Sequence, residues 1–376
     1  MGDVRAWKYR IYPSKSQQEK FDSYLHFCKD IWNGLLEYTK KQYQKSGKFP
    51  NRKQLYLRVK DSQVYSQVAQ NVADRLVKAL RGMLAKKNAG LAAGFPRFKS
   101  IERMRSFTYP QFGFKLNERL ELSGIGPVSI KKHRALEGKI KTLTIKKSPS
   151  GKWFAIFTSE LDAPRLKKKE GPVVGIDIGV ENFAYLSDGD IIENPRHLEK
   201  AENRLKREYR RLSRKMSRGE NRRKARRTVA IAYEKLTNRR RDFLHKASRK
   251  LADKYSFIAL ENLNVAALAR SILAKSVLDC SWAEFAGMLR NKAESAGCEV
   301  VLINPANTSQ SCSSCGLIRK KSLAERWHSC PCGASMHRDL NAAINILNRA
   351  TLGHRGSNAW GEDSGSLLAE PRIPGL

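Results

Sequence analysis

The stretch Val173-Val174-Gly175-Ile176-Asp177 decides the fold. It is a short apolar run, rich in β-branched residues, that closes on a carboxylate, and such a run reads as a buried strand. Phe257-Ile258-Ala259-Leu260-Glu261 has the same texture and also ends on an acid. Between them lie two short apolar runs, 183–186 and 191–192, and then a long helical pattern over 197–255. Beyond the second acid the pattern predicts a helix over 283–296, a strand over 299–303 and a last helix over 337–350. Asp339 falls in the first turn of that helix.

The order is thus strand–Asp, strand–Glu, helix–Asp on a β-β-β-α-β-α-β-α layout, which is the layout of an RNase H-like α/β domain. Any one of these acids could be an ordinary residue, because carboxylates favour helix N-termini for dipole reasons alone. The three together, each held by regular structure, point to a site. Three carboxylates suit two hard divalent cations on oxygen ligands. Two such ions about 3.5–4 Å apart activate water and stabilise the leaving oxygen of a phosphodiester. Asp177, Glu261 and Asp339 are therefore the candidate catalytic and metal-ligating residues.

Four of the seven cysteines crowd into Cys312-Ser313-Ser314-Cys315 and Cys330-Pro331-Cys332. Two close thiolate pairs suit one tetrahedral Zn²⁺, and four protein ligands make a closed, structural site. The second pair is C-x-C rather than C-x-x-C, which leaves His328 and His337 as alternative ligands; we assign Cys312, Cys315, Cys330 and Cys332.

Composition narrows the partner. The chain of 376 residues has 72 Lys and Arg against 36 Asp and Glu, a net charge of +36. Such a chain repels itself unless a polyanion neutralises it, and nucleic acid is the usual one. Residues 201–250 hold 20 Lys and Arg against 5 acids, an excess of one sign that i,i+4 pairing cannot neutralise and a phosphate backbone can. Lys206, Arg210, Arg214, Arg222, Arg223 and Arg227 are the candidate nucleic-acid contacts. No apolar run approaches the roughly 18 residues of a membrane span, and the first ten residues are too polar for a secretory signal. An intracellular protein with reduced cysteines and no membrane partner is expected.

The N-terminal half reads differently. A strand over 3–12 is followed by helical patterns over 14–47 and 52–86, the second broken near Asp61. Five β-like runs lie between Ser106 and Glu160, which reads as a small barrel or sandwich that the first strand completes.

Several segments now match one family. Gly175-Ile176-Asp177-Ile178-Gly179-Val180, Ala259-Leu260-Glu261-Asn262-Leu263 and His337-Arg338-Asp339-Leu340-Asn341-Ala342-Ala343-Ile344-Asn345 resemble the three RuvC motifs of the transposon-encoded TnpB proteins. Thr308-Ser309-Gln310-Ser311-Cys312-Ser313-Ser314-Cys315-Gly316 is similar to the family's zinc ribbon, and Tyr9 to Pro13, Gly94 to Lys99 and Arg240 to Lys246 also resemble it. The match spans nearly the whole chain.

The resemblance implies a multidomain α+β protein: an RNase H-like (RuvC) α/β nuclease domain with a zinc ribbon insertion, and a small wedge-like β-barrel with a helical recognition insertion. The implied boundaries are 1–13 and 96–168 for the barrel, and 14–95 for the recognition insertion. The nuclease domain takes 169–305 and 334–351 with the basic hairpin 197–255, the ribbon takes 306–333, and 352–376 form a disordered tail. The resemblance further implies an RNA-guided DNA endonuclease of a transposable element, a compact relative of the type V CRISPR effectors. Its partners would be a guide RNA derived from the transposon end and target double-stranded DNA, cut beside a short adjacent motif. Its cofactors would be two Mg²⁺, with Mn²⁺ able to substitute, and one Zn²⁺; its place would be the prokaryotic cytoplasm, on the nucleoid. An RNA-guided repressor with a dead nuclease would have lost an acid, and all three are present. A transposase would carry its acids in the order Asp, Asp, Glu rather than Asp, Glu, Asp.

Overall fold

A computed structural model gives the structure of residues 3–161, 168–264, 279–322 and 325–356. The chain divides near residue 164 into two compact units.

The first unit begins with strand β1 (Asp3–Tyr12) and helices α1 (Lys15–Ser46), α2 (Arg52–Leu57) and α3 (Ser66–Asn88). Six strands follow: β2 (Ser106–Tyr109), β3 (Phe114–Leu116), β4 (Leu120–Leu122), β5 (Gly126–Lys131), β6 (Lys139–Lys147) and β7 (Trp153–Leu161). They form one seven-stranded sheet in the order β2-β6-β7-β1-β5-β4-β3, so β1 is central, as the completing strand had to be. The sheet curls until its outermost strands meet: Tyr109 of β2 lies edge-on to Phe114 of β3, ring centres 6.3 Å apart. It is nearly a closed barrel. Strand alternation sends Trp7, Tyr9 and Ile11 of β1 inward with Trp153, Ala155 and Phe157 of β7. The helices share that core. Phe21 of α1 packs 4.8 Å from the Trp153 ring, and the apolar stripe of α3 (Val72, Leu76, Leu80) joins the same cluster. The Ser14/Gln17 capping box starts α1, and Gly47 in the left-handed region ends it.

The second unit carries β8 (Val173–Ile178), β9 (Asn182–Leu186), β10 (Ile191–Glu193), α4 (His197–Ser213), α5 (Glu220–Lys254) and β11 (Phe257–Glu261). Then come α6 (Trp282–Ala296), β12 (Glu299–Ile303), the short pair β13 (Trp327–Ser329) and β14 (Ser335–His337), and α7 (Arg338–Gly356). The main sheet has the order β10-β9-β8-β11-β12; β8, β11 and β12 are parallel, and β9 runs antiparallel to both of its neighbours, β8 and β10. One face packs on α5 and α6 through Val174, Ile176, Ile258 and Leu260 against Leu244, Leu251, Phe285 and Leu289. The other face packs on α7, with Ala259 and Ile303 against Ile346 and Ala350. Burial on both faces explains why β8 and β11 read as unbroken apolar runs. Helix α7 runs to Gly356 rather than stopping at 350, so residues 352–356 of the expected tail are helical; 357–376 lie outside the described residues. Among the described residues no helix is long and apolar enough to cross a membrane.

Candidate active site and metal centres

Strands β8 and β11 run side by side in register, Ile176 opposite Leu260, and each continues by one residue into its acid. Alternation turns Ile176 and Leu260 towards α5 and α6, and Asp177 and Glu261 towards the α7 face. Gly175 lets α7 come close: a Cβ there would lie 2.2 Å from the Ala343 carbonyl oxygen and 2.6 Å from the Leu347 nitrogen. This contact sets the first turn of α7, and with it Asp339, over the strand ends. Asp177, Glu261 and Asp339 line one cleft of roughly 1180 Å³, whose walls also carry Arg196, Lys321, Arg326 and Arg338.

The cleft opposes three like charges. Burial, then the negative charge of Glu261 and Asp339, hold the Asp177 carboxyl well above its ordinary value, with Arg338 pulling the other way. Burial also raises Glu261, against the Thr308 hydroxyl and Arg349. Asp339 accepts from Arg338 Nε at 3.1 Å. Crowded carboxylates of this kind suit a hard divalent ion, which would remove the repulsion and satisfy the oxygens.

The cysteines converge more tightly. The Sγ atoms of Cys312, Cys315, Cys330 and Cys332 all lie within 4.8 Å of one another, close enough to share one ion. Cys312 and Cys332 are 3.7 Å apart, and Cys315 and Cys330 are 3.5 Å apart. Four sulfurs held about 2.3 Å from a tetrahedral zinc ion stand about 3.8 Å from each other, so the donor set fits. Each pair is followed by a glycine in the left-handed region, Gly316 (φ 78°) and Gly333 (φ 91°), which turns the chain back over its knuckle. Burial raises the Cys312 thiol, but the N–H groups of Cys315 and Ser314 and the His328 side chain outweigh it and bring the thiol down to about 5. The two histidines left open by the sequence stand outside the quartet. His328 is buried beside Cys312 and meets Lys321 through Nδ1, and His337 stacks on Tyr185 at 4.7 Å.

The basic hairpin is held by a thin apolar seam of Leu205, Ala232 and Leu236. Lys206, Arg210, Arg214, Arg223 and Arg227 are exposed. Lys206 pairs with Glu202 and Arg223 with Glu220, each at 2.8 Å, in surface pairs weak enough to exchange for phosphate. Arg222, one of the expected contacts, is half-buried and also serves the hairpin turn. It donates to the carbonyls of Leu212 (3.2 Å) and Lys215 (2.8 Å), so it closes the turn between α4 and α5. A pair that the sequence did not signal anchors the hairpin's base: Arg240 of α5 meets Asp279 at 2.6 Å, and Asp279 accepts from the Leu198 N–H at the start of α4. Thr308, whose hydroxyl donates to Glu261, was equally invisible in sequence.

Comparison with known proteins places this architecture. The family described as "Probable transposase" matches residues 157–271, "Cas12f1-like, TNB domain" matches 282–346 and "Helix-turn-helix domain" matches 1–48. In the last range the structure has a strand and one unbroken helix. A Streptomyces pristinaespiralis protein named "Putative RNA-guided DNA endonuclease" is 32% identical over 361 residues, covering 91% of this chain and 88% of that protein. "Putative RNA-guided DNA endonuclease InsQ" of Escherichia coli (strain K12) is 29% identical, covering 92% of each chain. The solved structure titled "Cryo-EM structure of the Cas12f1-sgRNA-target DNA complex" aligns with a TM-score of 0.57 at 16% identity, over 90% of this chain and 84% of that one. That likeness is one of fold, a multidomain α+β architecture. With the expected motifs in place and a relative at this identity along nearly its whole length, the chain belongs to the TnpB family.

Proposed function

We propose that the protein is an RNA-guided DNA endonuclease that cuts double-stranded DNA matched by a bound guide RNA, beside a short adjacent motif. The observation that carries this reading is the gathering of Asp177, Glu261 and Asp339 in one cleft, in a chain whose relatives bear that description. The second unit is then a RuvC-type nuclease domain, the curled sheet of the first is the wedge, and the helices of 14–95 are the recognition insertion.

Asp177 and Glu261, fixed by the sheet, and Asp339, fixed by α7, would hold two Mg²⁺ ions, with Mn²⁺ able to substitute. Bound there, the ions supply Lewis-acid activation of water and stabilise charge on the leaving oxygen. The chain's own residues do the rest. Arg338 offsets the acids' charge, and Lys321, Arg326 and Arg196 line the cleft where a strand's phosphates would lie. The Thr308 hydroxyl meets Glu261 at the cleft's edge. The four cysteines hold one structural Zn²⁺, whose binding energy is folding energy for 306–333. The exposed hairpin cations grip backbone without reading sequence, which base pairing to the guide does. The guide RNA derives from the transposon end, and the protein works in the prokaryotic cytoplasm on the nucleoid.

The intact acid set favours cutting over a repressor, and its order favours hydrolysis over transposase chemistry despite the family's older description. The test is to purify the full chain with its RNA, sequence that RNA, and challenge the complex with plasmids. Swapping only the guide segment should redirect cutting to the matching DNA. Cleavage indifferent to the swap, or equal without RNA, would leave only a basic metal-dependent nuclease.

A further inference from the structure

The loop between β12 and the cysteine cluster runs directly beneath the carboxylate cleft, and its contacts are buried. Thr308 is 4% exposed, and its hydroxyl lies within hydrogen-bond reach of both Glu261 Oε1 and the Pro305 carbonyl, the latter at 3.0 Å; the carboxylate is the stronger acceptor for its one proton. The Thr308 carbonyl in turn accepts from Asn345 Nδ2 at 2.9 Å, and the same amide donates to the Ser311 carbonyl at 2.7 Å. One turn earlier on α7, Asn341 donates to Ser311 O at 2.7 Å and accepts from the Ser313 N–H at 2.9 Å. Cys312, the first cysteine of the quartet, lies between those two residues. Asn341 and Asn345 are themselves buried, on a helix whose other inward residues are apolar. Buried amides are placed at such positions only when their hydrogen bonds fix something.

The arrangement has a mechanical meaning. Helix α7 bears Asp339 at its start and, within its next two turns, the two amides that clamp residues 308–313. That segment carries the hydroxyl that meets one oxygen of Glu261. A single rigid element therefore sets both Asp339 and the partner of Glu261. We propose that Thr308 is a positioning residue for Glu261, held by Asn345, so that the cleft's affinity for divalent cations depends on the 308–313 segment. The inference rests on the reading of Asp177, Glu261 and Asp339 as a cation site.

The experiment measures Mn²⁺ binding to the full, zinc-loaded chain by electron paramagnetic resonance, with no DNA present. Thr308→Val should weaken Mn²⁺ binding roughly 10- to 100-fold, the usual loss when a ligand's hydrogen-bond partner is removed. Thr308→Ser should restore it, because only the hydroxyl matters. Asn345→Ala leaves the hydroxyl and removes its anchor, so it should weaken binding in the same direction. It also serves as the second arm should Thr308→Val fail to fold. The double variant should bind no more weakly than Thr308→Val alone, since both act through one contact. Wild-type affinity in Thr308→Val or in a folded Asn345→Ala, or a Thr308→Ser as defective as the valine variant, would overturn the proposal. Asp177→Ala separates the two levels. If it binds Mn²⁺ as the wild type does, the carboxylate reading has failed; if it loses the ion while Thr308→Val keeps it, only the positioning role has failed.

Discussion

Asp177, Glu261 and Asp339 stand where substitution should separate chemistry from folding. Asp177→Asn, Glu261→Gln and Asp339→Asn keep shape and remove a ligand charge, so each should cut DNA slower by roughly 10³-fold or more, the equivalent of several kcal/mol of lost charge stabilisation. RNA binding should persist. The pH dependence follows from the sign of the Asp177 shift. An acid raised in the folded state binds protons more tightly there than when unfolded, so the fold is penalised only once pH rises above the unfolded value near 3.8. In divalent-free buffer, urea titrations should show wild-type stability falling as pH climbs from that value. Asp177→Asn should fall less, and a parallel fall would remove the crowding argument. The acids were legible because Asp177 and Glu261 each close an apolar run and Asp339 opens a periodic helix. Thr308 was not, because its partner lies 47 residues away and only the folded loop aims the hydroxyl. The turn contact of Arg222 was hidden for the same reason: in sequence it is one more cation in a basic run, and only the fold shows its Nη1 donating to the carbonyls of Leu212 and Lys215.

Elements succeed or fail by their packing. Gly175→Ala would drive a methyl into the backbone of α7, and overpacking of this kind costs typically about 1–3 kcal/mol. Thermal unfolding should show that loss. Cleavage should fall further than stability accounts for, since Asp339 rides on the displaced helix; a fully active Gly175→Ala would mean that the close contact does not set the cleft. For the cysteine knuckles, elemental analysis should find one zinc per chain, and Cys312→Ser or Cys330→Ser should lower both its occupancy and the protein's thermal midpoint. A metal-free wild type of equal stability would sink the assignment. Strands β8 and β11 were legible because both of their faces are covered. Strands β3, β13 and β14 were missed because each has three residues and too little apolar periodicity. Their order comes from pairing across tight turns and, in the ribbon, from the cysteines.

At the scale of the molecule the charge is the dominant fact. Replacing Lys206, Arg210, Arg214, Arg223 and Arg227 with Gln, and sparing Arg222, should weaken nucleic-acid binding about equally for all sequences. Each lost phosphate contact reduces the salt slope by about 0.7–0.9, so five should flatten it by up to roughly 3.5–4.5. An unchanged slope in filter-binding titrations would place the grip elsewhere. The basic excess and the two-part organisation were legible from composition and texture. That α1 and α3 share one core with the curled sheet was not, because periodicity shows which face of a helix is buried and not what buries it.

The distance along the chain between Asp177 and Asp339 also bears on how the protein is made. Strand β8 leaves the ribosome long before α7, and until α7 exists one face of the second sheet has no cover. The contacts that complete the cleft are among the most distant in sequence, and distant contacts form late because loop closure must precede them. Synthesis itself thus delays the nuclease. A nascent chain halted anywhere between Glu261 and Asp339 carries the entire basic hairpin and an incomplete carboxylate set, so under the proposed function it would hold nucleic acid before it could break it.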